Sequence, residues 1–135
     1  MMYRKKKNSI KLTPQRLAIL EYLQGNKSHP SAADIYRAVS KKHPTMSFAT
    51  VYNTLDKLRE KGQVLELSID TGKKRFDPNA TPHQHLLCVI CKAIIDIHRN
   101  FVFDLQEGEM CDYEIIGSHV DFYGICPKCK KKKHT

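Results

Sequence analysis

The sequence predicts an α+β chain with its helices first and its strands after. Three observations carry this: apolar stripes at helical spacing in the N-terminal half, an alternating hairpin with a basic tip beyond them, and two Cys-x-x-Cys pairs set among β-branched segments. The chain has 135 residues, enough for one ordinary domain or two small ones.

Thr13-Pro14 offers an N-cap followed by proline at the first helical position, where its missing N–H would be unbonded anyway. Leu17, Leu20 and Leu23, with Ile19 alongside, give the first helix its apolar stripe, and Gly25-Asn26 ends it. Ser31 followed by Asp34 resembles a capping box. Ile35, Tyr36 and Val39 then supply a buried face before Pro44 closes the second helix. Ser47 caps a third helix in which Phe48, Val51, Leu55 and Leu58 recur at helical spacing and Gly62 is the stop. Its other face carries Thr50, Asn53, Thr54 and Lys57. Leu65, Leu67 and Ile69 alternate with Glu66, Ser68 and Asp70 as a half-buried strand. Asp70-Thr71-Gly72 turns the chain, and the return strand begins with Lys73, Lys74 and Arg75.

Three helices and a basic-tipped hairpin in that order describe a winged helix-turn-helix, in which the third helix enters the DNA major groove and the wing lies along the backbone. The solvent face of the third helix is short, polar and nearly uncharged at its N-terminal end, which suits base edges. Asn53 could bond adenine at two points, Thr50 could touch a thymine methyl or a phosphate, and Tyr52 could do either. An ordinary solvated helix face has a similar composition. The formal charge of +9 and pI near 9.4 favour a polyanion over acidic small molecules. Part of that excess lies in the runs Arg4-Lys5-Lys6-Lys7 and Lys130 to Lys133, read as frayed tails. With neither a signal peptide nor an apolar run long enough to span a membrane, a cytoplasmic protein without a membrane partner is expected.

Asp77-Pro78-Asn79-Ala80-Thr81-Pro82 is rich in turn residues and reads as an inter-domain hinge. The expected organisation is a winged-helix domain over 1–77, a hinge over 78–83 and a small α/β domain over 84–135. In that second domain Leu86 to Ile90, Ile94 to Ile97, Tyr113 to Ile116 and Val120 to Ile125 read as strands, with one helix starting near Asn100. Fewer than sixty residues bury little surface, so a metal and self-association are expected to make up the deficit. A two-fold dimer would also let two recognition helices read a palindrome.

Cys88/Cys91 and Cys126/Cys129 read as one four-thiolate zinc site. Such a site is closed, so its zinc holds structure and does not activate water. Disulfides are the competing reading of the same four residues. Cys111 is left over, and as a lone thiol reads as a half-buried small residue. A second constellation lies around the hinge. His83 and His85 are two apart, so on a strand both face one way, with Asp77 just before and Asp96 just after. Carboxylates beside imidazoles suit iron, manganese or zinc better than copper(I). An enzyme is not expected. A zinc hydrolase or deaminase needs an open coordination position and an acid/base glutamate, and neither His-x-Glu nor Pro-Cys-x-x-Cys occurs. A zinc-ribbon module that binds nucleic acid or protein without sensing anything is the other competitor.

Leu12-Thr13-Pro14-Gln15-Arg16, His29-Pro30-Ser31-Ala32-Ala33-Asp34-Ile35-Tyr36 and Ser47-Phe48-Ala49-Thr50-Val51-Tyr52-Asn53-Thr54-Leu55 together resemble the ferric uptake regulator family. So do Arg75-Phe76-Asp77, His83-x-His85-x-x-Cys88-x-x-Cys91 and Tyr123-Gly124-Ile125-Cys126. The resemblance covers nearly the whole chain. It implies a homodimeric bacterial transcriptional repressor with a winged helix and an α/β dimerisation domain bearing structural Zn2+. The chain looks most similar to the peroxide-sensing branch, whose regulatory Fe2+ or Mn2+ ligands fall by motif position on His29, Asp77, His83, His85 and Asp96. Aspartate at 96 and asparagine at 53 are the marks of that branch. Pro82 and Gln84 stand where iron-uptake members often place extra ligands, which leaves His119 without its partners for a third metal site. The branch implies a metal that fixes the two domains across the hinge, iron-catalysed oxidation of His29 or His83 by hydrogen peroxide, and release of a palindromic, A·T-rich double-stranded DNA operator. Its DNA contacts would fall on Lys11 in the minor groove, Arg16 and Ser47 on phosphate, Thr50, Tyr52 and Asn53 on bases, and Lys73 and Lys74 in the wing. Iron- or zinc-uptake regulation is the alternative within the family.

Overall fold

The computed structural model describes residues 11–106 and 108–133, and the chain divides into two compact units at the Thr81–Pro82 junction. The run Arg4 to Lys7 lies outside the described residues. No described helix is long and apolar enough to cross a membrane.

The first unit contains α1 (Pro14–Leu23), α2 (Ala32–Ser40), α3 (Phe48–Glu60), β1 (Leu65–Leu67) and β2 (Arg75–Asp77). Each helix starts where a side chain takes up an orphan amide. Thr13 Oγ1 accepts from the Arg16 N–H at 3.2 Å, and Ser47 Oγ accepts from the Thr50 N–H at 3.0 Å. Ser31 and Asp34 form a complete capping box, at 3.2 Å and 3.0 Å. Helix α3 stops at Gly62, whose φ of +71° suits glycine, while the Gln63 N–H donates to the Leu58 carbonyl at 2.9 Å. The core gathers Ile19, Leu23, Ile35, Val39, Met46, Val51, Leu55, Leu58, Val64 and Phe76.

Three expectations change here. Leu17 is 45% exposed, and Ile19 with Leu23 carries the buried face of α1. Thr54, expected on the solvent face, is buried at 1% exposure because it lies beside Leu55 on the 51/54/55/58 stripe; its hydroxyl donates to the Thr50 carbonyl at 2.7 Å, which removes the cost of burying it. Phe48 stays 46% exposed and packs edge-on against Tyr36, with ring centroids 5.8 Å apart.

Strands β1 and β2 pair antiparallel, Leu65 with Asp77 and Leu67 with Arg75. The turn between them is pinned by Asp70, whose Oδ1 accepts from the Gly72 N–H at 2.9 Å. The return strand begins at Arg75, after Lys73 and Lys74. Lys74 Nζ instead donates to Ser68 Oγ at 2.6 Å.

The second unit contains β3 (Gln84–Cys88), β4 (Ile94–Ile97), β5 (Asp121–Gly124) and α4 (Pro127–Lys133). The sheet order is β4-β3-β5, antiparallel between β3 and β4 and parallel between β3 and β5. A parallel neighbour requires a long crossover, here residues 98–120. Neither the strand expected over Tyr113 to Ile116 nor the helix expected near Asn100 forms among the described residues. Phe101-Val102-Phe103 is a poor helix starter, and positive φ values at Gly108, Cys111 and Asp112 interrupt any continuation. Tyr113 and Ile116 are 75% and 96% exposed, and β3 already has a neighbour on each side. Cys111, expected half-buried, is exposed for the same reason. The lysine run expected to fray is helical through Lys133, started by Pro127 at the first position.

Truncating Leu55→Ala or Ile35→Ala should cost the first unit about 2–5 kcal/mol. Ser31→Ala should cost about 1 kcal/mol through the lost cap, and Leu17→Ala less than about 0.5 kcal/mol. Urea unfolding followed by helical circular dichroism ranks the four.

Candidate metal centres and nucleic-acid interface

Cys88 ends β3, Cys91 follows in the turn to β4, and Cys126 and Cys129 flank the first turn of α4. Strand β5 runs beside β3 with Cys88 opposite Gly124, which delivers the second pair to the first. The sulfurs of Cys88 and Cys129 are 3.9 Å apart, those of Cys91 and Cys126 are 3.8 Å apart, and all four lie within 4.8 Å of one another. A tetrahedron with metal–sulfur bonds of about 2.3 Å has edges of about 3.8 Å. A disulfide needs about 2.05 Å. The geometry therefore suits a metal and excludes the disulfide reading, and all five cysteines are free.

The electrostatics of the cluster favour thiolates at Cys88 and Cys126. Amide hydrogen bonds from Cys91 and Cys126 pull the Cys88 thiol down to about 6; the Cys126 N–H lies 3.3 Å from the Cys88 sulfur. An amide hydrogen bond from Cys129 likewise lowers Cys126. Cys129 is pushed up to about 12, first by its hydrogen bond to Cys126 and then by burial, so it holds its proton more tightly than Cys88 or Cys126.

Further up β3, the antiparallel register sets His85 opposite Asp96. His83 lies two residues before His85 and so shares its face. His83 Nε2 and His85 Nε2 approach the same Asp96 oxygen, at 3.1 Å and 3.4 Å, and their ring centroids are 4.4 Å apart. Their side chains are 1% and 4% exposed, and that of Asp96 is 15% exposed. Two buried imidazoles converging on one carboxylate form a donor set that a divalent cation fits. His119, by contrast, is 84% exposed and pairs with Asp121 at 3.6 Å.

The first unit holds its own pair. His29 Nε2 lies 3.4 Å from Asp77 Oδ2, with side-chain exposures of 1% and 4%. The backbone of His29 is left-handed, with φ at +52°. For a residue other than glycine this costs about 1–3 kcal/mol and persists only where the surroundings dictate it. Here β2 dictates it. Arg75 Nε donates to the His29 carbonyl, Arg75 Nη2 to the Ser28 carbonyl at 3.3 Å, and the Phe76 N–H to the Pro30 carbonyl at 2.8 Å. Arg75 Nη1 in turn meets Asp70 Oδ2 at 3.2 Å, with both side chains buried. Sequence reading placed Arg75 at the basic tip of the hairpin and Asp70 in its turn, and so missed this pair. The one available signal was the Asp-x-x-x-x-Arg spacing across a tight turn.

On α3, Tyr52 and Asn53 are exposed at adjacent positions. Ser47 Oγ and Thr50 Oγ1 share a hydrogen bond of 2.8 Å, so the cap and the first readout candidate act as one polar group. Arg16 Nη1 donates to the Lys11 carbonyl at 2.8 Å, fixing the entry to α1. Lys73 is half exposed and stands 3.9 Å from Asp34.

The ferric uptake regulator family model matches residues 7–123. The chain belongs to the ferric uptake regulator family. It is 38% identical to the peroxide operon regulator of Bacillus subtilis (strain 168) over 131 residues, covering 96% of this chain and 90% of that one. It is 36% identical to the peroxide-responsive repressor PerR of Staphylococcus epidermidis over 129 residues, 94% and 86% of the two chains. The Campylobacter jejuni peroxide stress regulator superposes with a TM-score of 0.66 at 28% identity, covering 96% of this chain and 98% of that one. The mixed helix and strand architecture is thus that of a winged helix followed by the family's α/β domain.

Because the Cys88 thiol is held near 6, it is already a thiolate at pH 7.5 in the metal-free protein. Zinc binding there should release fewer than four protons per site, and zinc affinity should fall more steeply once pH drops below about 6. Calorimetry in buffers of different ionisation enthalpy gives the proton count. Cys126→Ser should abolish stoichiometric zinc and unfold the second unit.

Proposed function

We propose that this family member is a metal-dependent transcriptional repressor that senses hydrogen peroxide. The observation that carries the reading is the pair of buried imidazole–carboxylate sets, His29 with Asp77 and His83 and His85 with Asp96. The similarity to peroxide-responsive regulators supports peroxide as the signal. Aspartate at 96, with Pro82 and Gln84 at the positions that would extend the ligand set, agrees with it.

In this reading Cys88, Cys91, Cys126 and Cys129 hold structural Zn2+, and His29, Asp77, His83, His85 and Asp96 hold a regulatory Fe2+ or Mn2+. Ligands drawn from both units let one ion favour a single relative setting of them. Bound iron(II) would supply the electron that turns hydrogen peroxide into an oxidant beside the ligand rings. His29 and His83 are the expected targets, and an oxygenated imidazole donates its nitrogen lone pair poorly. A near-complete switch needs about 5.5 kcal/mol of differential binding, within what a lost ligand provides.

The repressor acts as a homodimer on a palindromic, A·T-rich operator in the cytoplasm. Val102, Phe103, Tyr113 and Ile116 of the second unit are 62–96% exposed, an apolar surface that a second copy would cover. Tyr52 and Asn53, with Thr50, read bases from α3. Ser47 and Arg16 hold phosphate, Lys11 reaches the minor groove, and Lys73 and Lys74 lie along the backbone.

The deciding experiment loads the zinc-bound protein anaerobically with iron(II) or manganese(II) and adds stoichiometric peroxide. Operator binding and peptide masses are then followed together. The iron form should gain one oxygen at His29 or His83 and leave DNA, while the manganese form stays bound and unmodified. Iron-loaded protein that stays bound and unmodified would instead favour a reversible metal-uptake regulator. Separately, Lys73→Ala and Lys74→Ala should weaken binding to all sequences alike, each removing a contact from both wings of the dimer and so flattening the slope of log K against log salt by about 1.8, whereas Asn53→Ala should relax specificity at one base pair in each half-site. Salt-titrated fluorescence anisotropy on operator and scrambled DNA separates the two behaviours.

A further inference from the structure

Strand β2 does more than close the wing. Its three residues engage three consecutive residues of the loop before α2: Arg75 takes the Ser28 and His29 carbonyls, Phe76 takes the Pro30 carbonyl, and Asp77 faces the His29 imidazole. The middle residue of that loop has the left-handed backbone. Relaxing His29 to an ordinary conformation would swing its carbonyl away from Arg75 and its ring away from Asp77. The guanidinium is itself oriented from behind by Asp70, which also holds the wing turn through the Gly72 amide.

We infer that Arg75, oriented by Asp70, is the positioning residue that holds His29 ready to bind metal. This rests on the reading of His29 as a ligand of the regulatory site. The role requires arginine. A planar fork serves two carbonyls and a carboxylate at once, and its charge is permanent, whereas a lysine ammonium is a single point that cannot span all three. Groups that orient a ligand without touching the metal contribute strongly to affinity, and their loss weakens metal binding about 10- to 100-fold. The same pair ties the ligand loop to the turn carrying Lys73 and Lys74, so the wing and the ligand loop share one fixed point.

The test uses the full-length zinc-bound protein as Arg75→Lys, Asp70→Asn and His29→Ala variants beside the unsubstituted chain. Manganese(II) affinity is measured from the electron paramagnetic resonance signal of the free ion, well below each variant's unfolding midpoint. The cobalt(II) visible spectrum reports the coordination of the regulatory site. Arg75→Lys and Asp70→Asn should each weaken manganese binding by about tenfold or more and alter the cobalt bands, in protein that is still folded. Asp70→Asn keeps an oxygen for the Gly72 amide, so it interrogates the link even if Arg75→Lys fails to fold. Loss of stability alone, with manganese affinity within twofold and the cobalt spectrum unchanged, would overturn the inference while His29→Ala still loses the metal. If His29→Ala also binds manganese normally, the ligand assignment itself fails and the inference falls with it.

Discussion

The second unit depends on four sulfurs. Among its described residues the buried apolar side chains are Leu87 and Ile94, together with Cys88 and Cys129 of the cluster. Two aliphatic side chains do not offset the conformational entropy of some fifty residues. Cross-linking the end of β3, the turn after it and the start of α4 through one ion would make up for that shortfall, as it does in other small metal-dependent domains. The consequence reaches past the cluster. Cys88 lies three residues after His85 on the same strand, so fixing Cys88 fixes the register that places His85 opposite Asp96 and His83 beside them. A metal held by the four cysteines would thereby also fix the geometry of His83, His85 and Asp96.

The first unit solves a different problem with different chemistry. Its helices bury a full aliphatic core, and no metal is required to hold it. What the core cannot do is force a histidine backbone into the left-handed region. That takes directional bonds, which the buried Arg75–Asp70 pair and the Phe76 amide supply. Buried ion pairs seldom add net stability, because desolvating two charges consumes most of the attraction. Their usual return is specificity of arrangement, and here the arrangement specified is that of a candidate ligand. The capping hydroxyl of Ser47 shows the same economy on α3, since one bond orders both the helix start and Thr50.

Local chemistry was legible in the sequence wherever a few neighbouring residues decide the outcome. The caps at Thr13, Ser31 and Ser47, the stop at Gly62 and the Asp70 turn all depend on contacts within five residues, and each appears as read. The cysteine pairs were legible because tetrahedral sulfur ligation imposes its own spacing. Tertiary context decided the rest. Thr54 was assigned by polarity when its helical phase governs, and a threonine can satisfy its own hydroxyl. Residues 113–116 have strand-like composition but no free neighbour on β3 to pair with. Helix α4 was hidden by its lysines, although Pro127 marked its start. Arg75 read as wing charge because nothing in one dimension shows that two loop carbonyls and a buried carboxylate lie within its reach.

The crossover between Ile97 and Asp121 is where the second unit leaves apolar surface uncovered. It must be long, since β5 returns parallel to β3, and within it the apolar side chains of Val102, Phe103 and Ile116 face water. A chain rarely keeps aromatic and β-branched residues so exposed unless another surface removes them from solvent. A second copy of the chain would offer such a surface by symmetry and at the same concentration. Tyr113 and Ile116 thus contribute exposed apolar surface, not a further strand, and a second copy covering them would remove that surface from water.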